Sequence, residues 1–241
     1  MRGKYIVIEG PDGSGKERQV RLLAEALEKA GLRSEVIREP NVRHDVTVSM
    51  LQHLIDDPNF PMTTVTEALV YAAERSQTLE AIRKHCEQGI NCIVGRSYLS
   101  TLAEQYYGHG TIADYQKLTN IITAAVGDME PDLTVVIDAE VPTLHQNRMN
   151  DKEQFDDAFM ERVRAGYLWE ARQRNMPVIY ATGSVDDVFK EVWKLAAVTL
   201  AQRDKPTAAV TASASQPQSV AEILAGSPIP QPNHTNHPKS E

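Results

Sequence analysis

Cysteine is scarce in this chain: only Cys86 and Cys92 occur among 241 residues. Without metal-ligand spacing they exclude a disulfide scaffold and a zinc module, and they read as reduced packing residues at a helix end and in a strand. An excess of basic charge is missing too. The formal net charge of −8 argues against a general nucleic-acid-binding face and leaves only local basic pockets for small anions. No apolar run is long enough for a membrane span, and Met1-Arg2-Gly3-Lys4 leads straight into a strand-like segment with no apolar leader. A cytoplasmic protein without a membrane partner is expected. Tryptophan is rare, and Trp169 and Trp193 fall in helical patterns where packing explains them. Beyond about Arg203 aromatic residues vanish while Pro, Ala, Ser, Thr and Gln accumulate, so residues 1–203 are expected to form one domain and 204–241 a disordered tail.

What is present is periodic. Strand-like runs at Tyr5 to Glu9, Glu35 to Arg38, Asn91 to Gly95, Leu133 to Asp138 and Val178 to Ala181 alternate with helical patterns. The helices are expected from Val20 through Leu27 with Gly31 as the stop, then over Val46 to Ile55, Thr66 to Cys86, Ile112 to Val126, Pro142 to Met149, Phe155 to Arg174 and Val185 to Gln202. This alternation predicts an α/β fold, a five-stranded parallel sheet flanked by helices.

Directly after the first strand stands Gly10-Pro11-Asp12-Gly13-Ser14-Gly15-Lys16. A strand feeding a glycine-rich turn that opens a helix is a phosphate-binding P-loop: the turn's N–H groups wrap a β-phosphate, Lys16 reaches the β/γ oxygens, and the helix N-terminus faces the anion. A merely connecting turn would explain the glycines but not the lysine. Glu17 stands where this motif ordinarily carries a Ser or Thr hydroxyl for Mg²⁺.

A P-loop serves kinases, ATPases and GTPases alike. The guanine-reading Asn-Lys-x-Asp motif is absent, which leaves nothing to select guanine for a GTPase-type switch. Candidate acceptor groups are present: Arg38-Glu39-Pro40 ends the second strand, Tyr71 and Arg75 lie one helical turn apart, and Gly95-Arg96 ends the third strand at the edge where such sheets bind ligands. An aromatic ring for a base and arginines for its carbonyl edge and a phosphate would together describe a nucleotide acceptor. Singly, each arginine is as readily a solvated salt bridge.

From about Gly3 to Leu200 the chain resembles the thymidylate kinase family of P-loop nucleoside-monophosphate kinases. The resemblance rests on Tyr5 to Lys16, Arg38-Glu39-Pro40, Tyr71-Ala72-Ala73-Glu74-Arg75, Arg96 with Leu99-Ser100-Thr101, Pro131-Asp132-Leu133-Thr134, and Arg162-Val163-Arg164 with Tyr167-Leu168. It implies ATP-dependent phosphorylation of thymidine monophosphate with Mg²⁺, a mobile lid and a homodimer. It also implies that Gly10 to Glu17 hold ATP, that Asp12 approaches the sugar 3′-hydroxyl and metal, and that Tyr71 stacks on the base. Arg75 would bond the base's carbonyl edge, Arg96 the acceptor phosphate, and Pro40 and Thr101 would flank the base. With Gly13 in place of a P-loop arginine, the further catalytic cation is expected from the lid, at Arg148 first and Lys152 second.

Three positions depart from the family pattern. Glu17 replaces the hydroxyl, Gly95 replaces the aspartate that usually precedes the arginine, and Glu104 stands where an aromatic is commoner. Asp12 or Glu9 is expected to serve as metal ligand instead, and replacing Gly95 by aspartate is expected to restore a lost carboxylate. The alternatives are a catalytically weak or silent nucleotide-binding relative serving a partner, and a kinase for another deoxynucleoside monophosphate.

Overall fold

The structure is a computed structural model that describes residues 2–40, 45–148 and 156–202. Five parallel strands, β1 (Tyr5–Glu9), β2 (Ser34–Arg38), β3 (Asn91–Gly95), β4 (Leu133–Asp138) and β5 (Val178–Tyr180), lie in the order β2-β3-β1-β4-β5. The helices are α1 (Lys16–Lys29), α2 (Val46–Asp56), α3 (Thr64–Glu87), α4 (Tyr98–Thr101), α5 (Tyr115–Val126), α6 (Val141–Asn147), α7 (Asp157–Gln173) and α8 (Val185–Ala201). A π-helical stretch, Leu102–Gly108, continues α4.

β1 is buried along its whole length because helices cover both faces of the sheet. Alternate side chains serve different cores. Tyr5 and Val7 join Cys92, Val94 and Val136 against α3, α5 and α7. Ile6 and Ile8 join Ile93, Val135 and Ile137 against α1 and α8. β2, an edge strand, buries only Ile37. Cys86 and Cys92 are buried free thiols with Sγ atoms 3.9 Å apart.

All five expected strands are present, within a residue of their expected ends. The helix expected over Ile112 to Val126 begins at Tyr115, and the segment after β3, to which no element was assigned, is helical from Tyr98 to Gly108. The expected ends at Met149 and Phe155, Lys152, and the tail after Arg203 lie outside the described residues. Among the described residues no helix is long and apolar enough to cross a membrane.

Candidate functional site

The sheet's carboxyl edge assembles the site. β1 is the switch point: the chain runs to β2 and β3 on one side of it and then crosses to β4 and β5 on the other, which opens a crevice above its end. The segments leaving β1, β2 and β3, together with α3, the π stretch and the C-terminal end of α6, line one cavity of about 290 Å³.

At its P-loop end two cations converge on one carboxylate. Lys16 Nζ donates to Asp12 Oδ1 at 2.7 Å, and Arg96 donates to the same oxygen. Burial opposes ionisation of Asp12, but Lys16 and Arg96 outweigh it and hold the carboxyl well below the usual range. Burial together with the neighbouring Arg96 pulls the Lys16 ammonium below its ordinary value. Arg96 also donates to Glu104 Oε1 at 2.7 Å.

Arg96 is in the left-handed backbone region, with φ of 86°. For a side chain with a Cβ this conformation costs about 1–2 kcal/mol, so the surroundings must enforce it. Glu9 does so from the end of β1: Oε1 accepts from Ser97 N at 2.6 Å, Ser97 Oγ at 2.8 Å and Ser100 N at 3.3 Å, and Oε2 accepts from Ser100 Oγ at 2.8 Å. These bonds fix the turn from β3 into α4 and with it the direction of Arg96. Of the two carboxylates expected as metal ligands, Glu9 is the wholly buried one, with both oxygens engaged by this turn. Burial pushes its carboxyl above the usual range despite the serine bonds.

Tyr71, Arg75, Pro40 and Thr101 also line this cavity. Arg75 is held from three directions: Nε donates to Glu39 at 2.5 Å, Nη1 to Thr101 Oγ1 at 3.0 Å, and Nη2 to Ser97 O at 3.0 Å. Arg38 is not brought in. It is exposed at the end of the edge strand and absent from the cavity wall, because alternation along β2 turns Ile37 inward and Arg38 out.

α6 closes over the P-loop. Asn147 Nδ2 donates to Gly13 O at 2.7 Å, and a Cβ on Gly13 would stand 2.4 Å from Leu144 O. Gly13, at φ 88°, is therefore glycine because another backbone passes there. The same packing brings Arg148, at the end of α6, to the cavity wall near enough to help depress the Asp12 carboxyl. Arg164 grips Asp138 with two bonds of 2.8 Å and anchors α7 to the end of β4.

A thymidylate kinase family model matches residues 8–192. The chain is 33% identical over 199 residues to the thymidylate kinase of Carboxydothermus hydrogenoformans, covering 80% of this chain and 96% of that one. Identity to the Desulforudis audaxviator thymidylate kinase is 38% over 174 residues, 70% of this chain and 77% of the other. The Exiguobacterium sibiricum thymidylate kinase is 33% identical over 215 residues, 85% and 99% of the two chains. The chain belongs to the thymidylate kinase family.

Within that family the departure at Glu104 now has a partner, because its carboxylate orients Arg96. Gln105, His109, Phe159, Met160 and Val163 complete the cavity and were missed from the sequence. They come from the unassigned stretch after β3 and from α7, which packs on it. The pairs Tyr98-Leu99, Leu102-Ala103 and Tyr106-Tyr107 recur every four residues, a helical signal that could have found this segment. Its π winding, with His109 N bonded to Glu104 O at 2.8 Å, leaves both Glu104 and Gln105 on the cavity wall.

Proposed function

We propose that this protein transfers the γ-phosphoryl group of ATP to thymidine monophosphate, forming thymidine diphosphate. The observation that carries the reading is one cavity with Asp12, Arg96 and Arg148 beside the P-loop at one end and Tyr71, Arg75 and Thr101 at the other. It suits a γ-phosphoryl donor and a nucleotide acceptor held end to end.

In this mechanism the loop Gly10-Pro11-Asp12-Gly13-Ser14-Gly15 wraps the donor phosphates through the backbone N–H groups of its residues other than Pro11, which has none, and the N-terminus of α1 faces them. Lys16 exchanges its bond to Asp12 for the β/γ oxygens. Arg96 turns from Glu104 and Asp12 to the acceptor phosphate, while Arg148 neutralises charge on the group in flight. Tyr71 stacks on the base, and Arg75, fixed by Glu39 and Thr101, offers its remaining N–H bonds to the carbonyl edge. Pro40 bounds the base. The protein contributes position and charge rather than covalent chemistry.

The donor set fits Mg²⁺. Ser14 Oγ in the P-loop is buried without a partner among the described residues, Asp12 belongs to the same loop, and Mg²⁺ on a nucleotide needs only one or two carboxylates besides phosphate oxygens. Asp12 would hold the ion, which when bound draws negative charge off the β- and γ-phosphates. The expected homodimer has a candidate surface in the exposed Val46 and Met50 of α2 and Leu69 of α3. A coupled ADP-release assay with each nucleoside monophosphate in turn tests the reading. Turnover is expected to be fastest with thymidine monophosphate, and ADP release independent of every acceptor would refute it.

A further inference from the structure

Glu17 and Gly95, two separate oddities in sequence, meet in space. A Cβ built on Gly95 would stand 3.2 Å from Glu17 Oε1 and 3.4 Å from Val20 Cγ2. The Glu17 carboxylate thus lies against the end of β3, in the room that a side chain at residue 95 would require. That end adjoins the P-loop strand: Ile8 pairs with Gly95 in register, and Arg96 N donates to Ile8 O at 3.2 Å. Position 95 has no left-handed backbone, so space rather than conformation accounts for the missing side chain.

Glu17 also differs from its acidic neighbours in what it touches. Asp12 is engaged by Lys16 and Arg96, Glu104 by Arg96, and Glu9 by two serines. Among the described residues no side-chain hydrogen bond or ion pair involves Glu17. A carboxylate in the first turn of a helix is favoured by the helix dipole wherever its tip points, but the dipole does not explain why the tip lies over an absent side chain. Beside the phosphates held by Lys16, a bare carboxylate would repel them, and a divalent cation between the two reverses the sign of that interaction. Ser14 Oγ, just before Gly15 and Lys16, is buried and has no partner among the described residues.

We propose that Glu17 is a second carboxylate, in addition to Asp12, for the divalent cation accompanying the ATP phosphates, delivered from α1 into the space Gly95 leaves open. The two sequence departures are then one relocation of a carboxylate from the end of β3 to the start of α1. The inference rests on the kinase reading above. It also overturns the expectation that Gly95→Asp repairs a defect, because the new side chain would collide with Glu17 or displace it.

Mn²⁺ is the probe, titrated onto the full-length protein with β,γ-imido-ATP and read as free Mn²⁺ by electron paramagnetic resonance. Glu17 is exposed, so Glu17→Gln removes charge without disturbing a core. It should weaken Mn²⁺ binding about tenfold or more, since affinity follows ligand charge, and leave binding of the metal-free analogue equal or tighter. Gly95→Asp alone should bring no gain, and Gly95→Asp combined with Glu17→Ala, which clears the room that an isosteric Gln would still fill, should recover most of the lost Mn²⁺ affinity. Unchanged Mn²⁺ affinity in Glu17→Gln, or an equal loss for the metal-free analogue, overturns the proposal while leaving the kinase reading standing. Failure of the natural protein to bind the analogue at all overturns both.

Discussion

Replacing Gly13 by alanine tests whether α6, and Arg148 with it, is seated by direct contact with the P-loop. At φ 88° an alanine carries the left-handed penalty of about 1–2 kcal/mol. Its Cβ would lie 2.4 Å from Leu144 O, whereas ordinary contact begins near 3.4 Å, so α6 has to retreat by about 1 Å, the difference between the two. The neighbouring atoms are Leu144 backbone, which cannot swing aside as a flexible side chain would. The Asn147 bond to Gly13 O breaks with that retreat, at a cost of about 1 kcal/mol. Together these oppose the docked position of α6 by about 2–3 kcal/mol. A catalytic cation misplaced by about 1 Å loses rate on the order of 100-fold. Steady-state kinetics with ATP and thymidine monophosphate should therefore show kcat falling by about 30- to 100-fold, while equilibrium ATP binding, which depends on Lys16 and the loop amides, changes little. A kcat within threefold (about 0.7 kcal/mol) of the natural protein would mean that α6 does not position the catalytic cation. Loss of ATP binding in parallel with kcat would mean that the substitution deforms the P-loop itself.

Lys16→Ala should abolish turnover and weaken ATP binding, because the ammonium beside Asp12 is the point charge available to the β/γ oxygens; unchanged ATP affinity by calorimetry would show that it faces elsewhere. Glu74, buried in the cavity wall with Oε1 unpartnered, has its carboxyl pushed up to about 7 by burial and by Glu39 and Asp56, with Arg75 pulling the other way. A raised pKa means that its contribution to stability is complete below the ordinary value near 4.5 and is lost as pH rises through about 7. Glu74→Gln should thus match the natural protein near pH 4.5 and exceed it above pH 7, by at most about 3 kcal/mol. Parallel melting curves across that range would refute this assignment.

The chain's own residues determined the parallel sheet and the P-loop, because both are local patterns. Each strand is a short apolar run bounded by turn residues, and Gly10 to Lys16 need only the strand before them and the helix after them. Tyr71, Arg75, Arg96 and Thr101 were recognisable by resemblance, and the fold brings them to one cavity. What only tertiary structure decided are the contacts between segments distant in sequence. Arg38 is left off the cavity wall because alternation along an edge strand, set by which face Ile37 buries, turns it to solvent. The partners of Glu9 could not be read along the chain, because Ser97 and Ser100, which engage it, arrive on a different strand's exit. Gly13 shows the same limit, since its lack of a side chain answers to Leu144 in α6. Glu17 and Gly95 read as two losses along the chain, yet parallel pairing of β1 with β3 sets the start of α1 over the end of β3, where one carboxylate occupies the room beside one glycine.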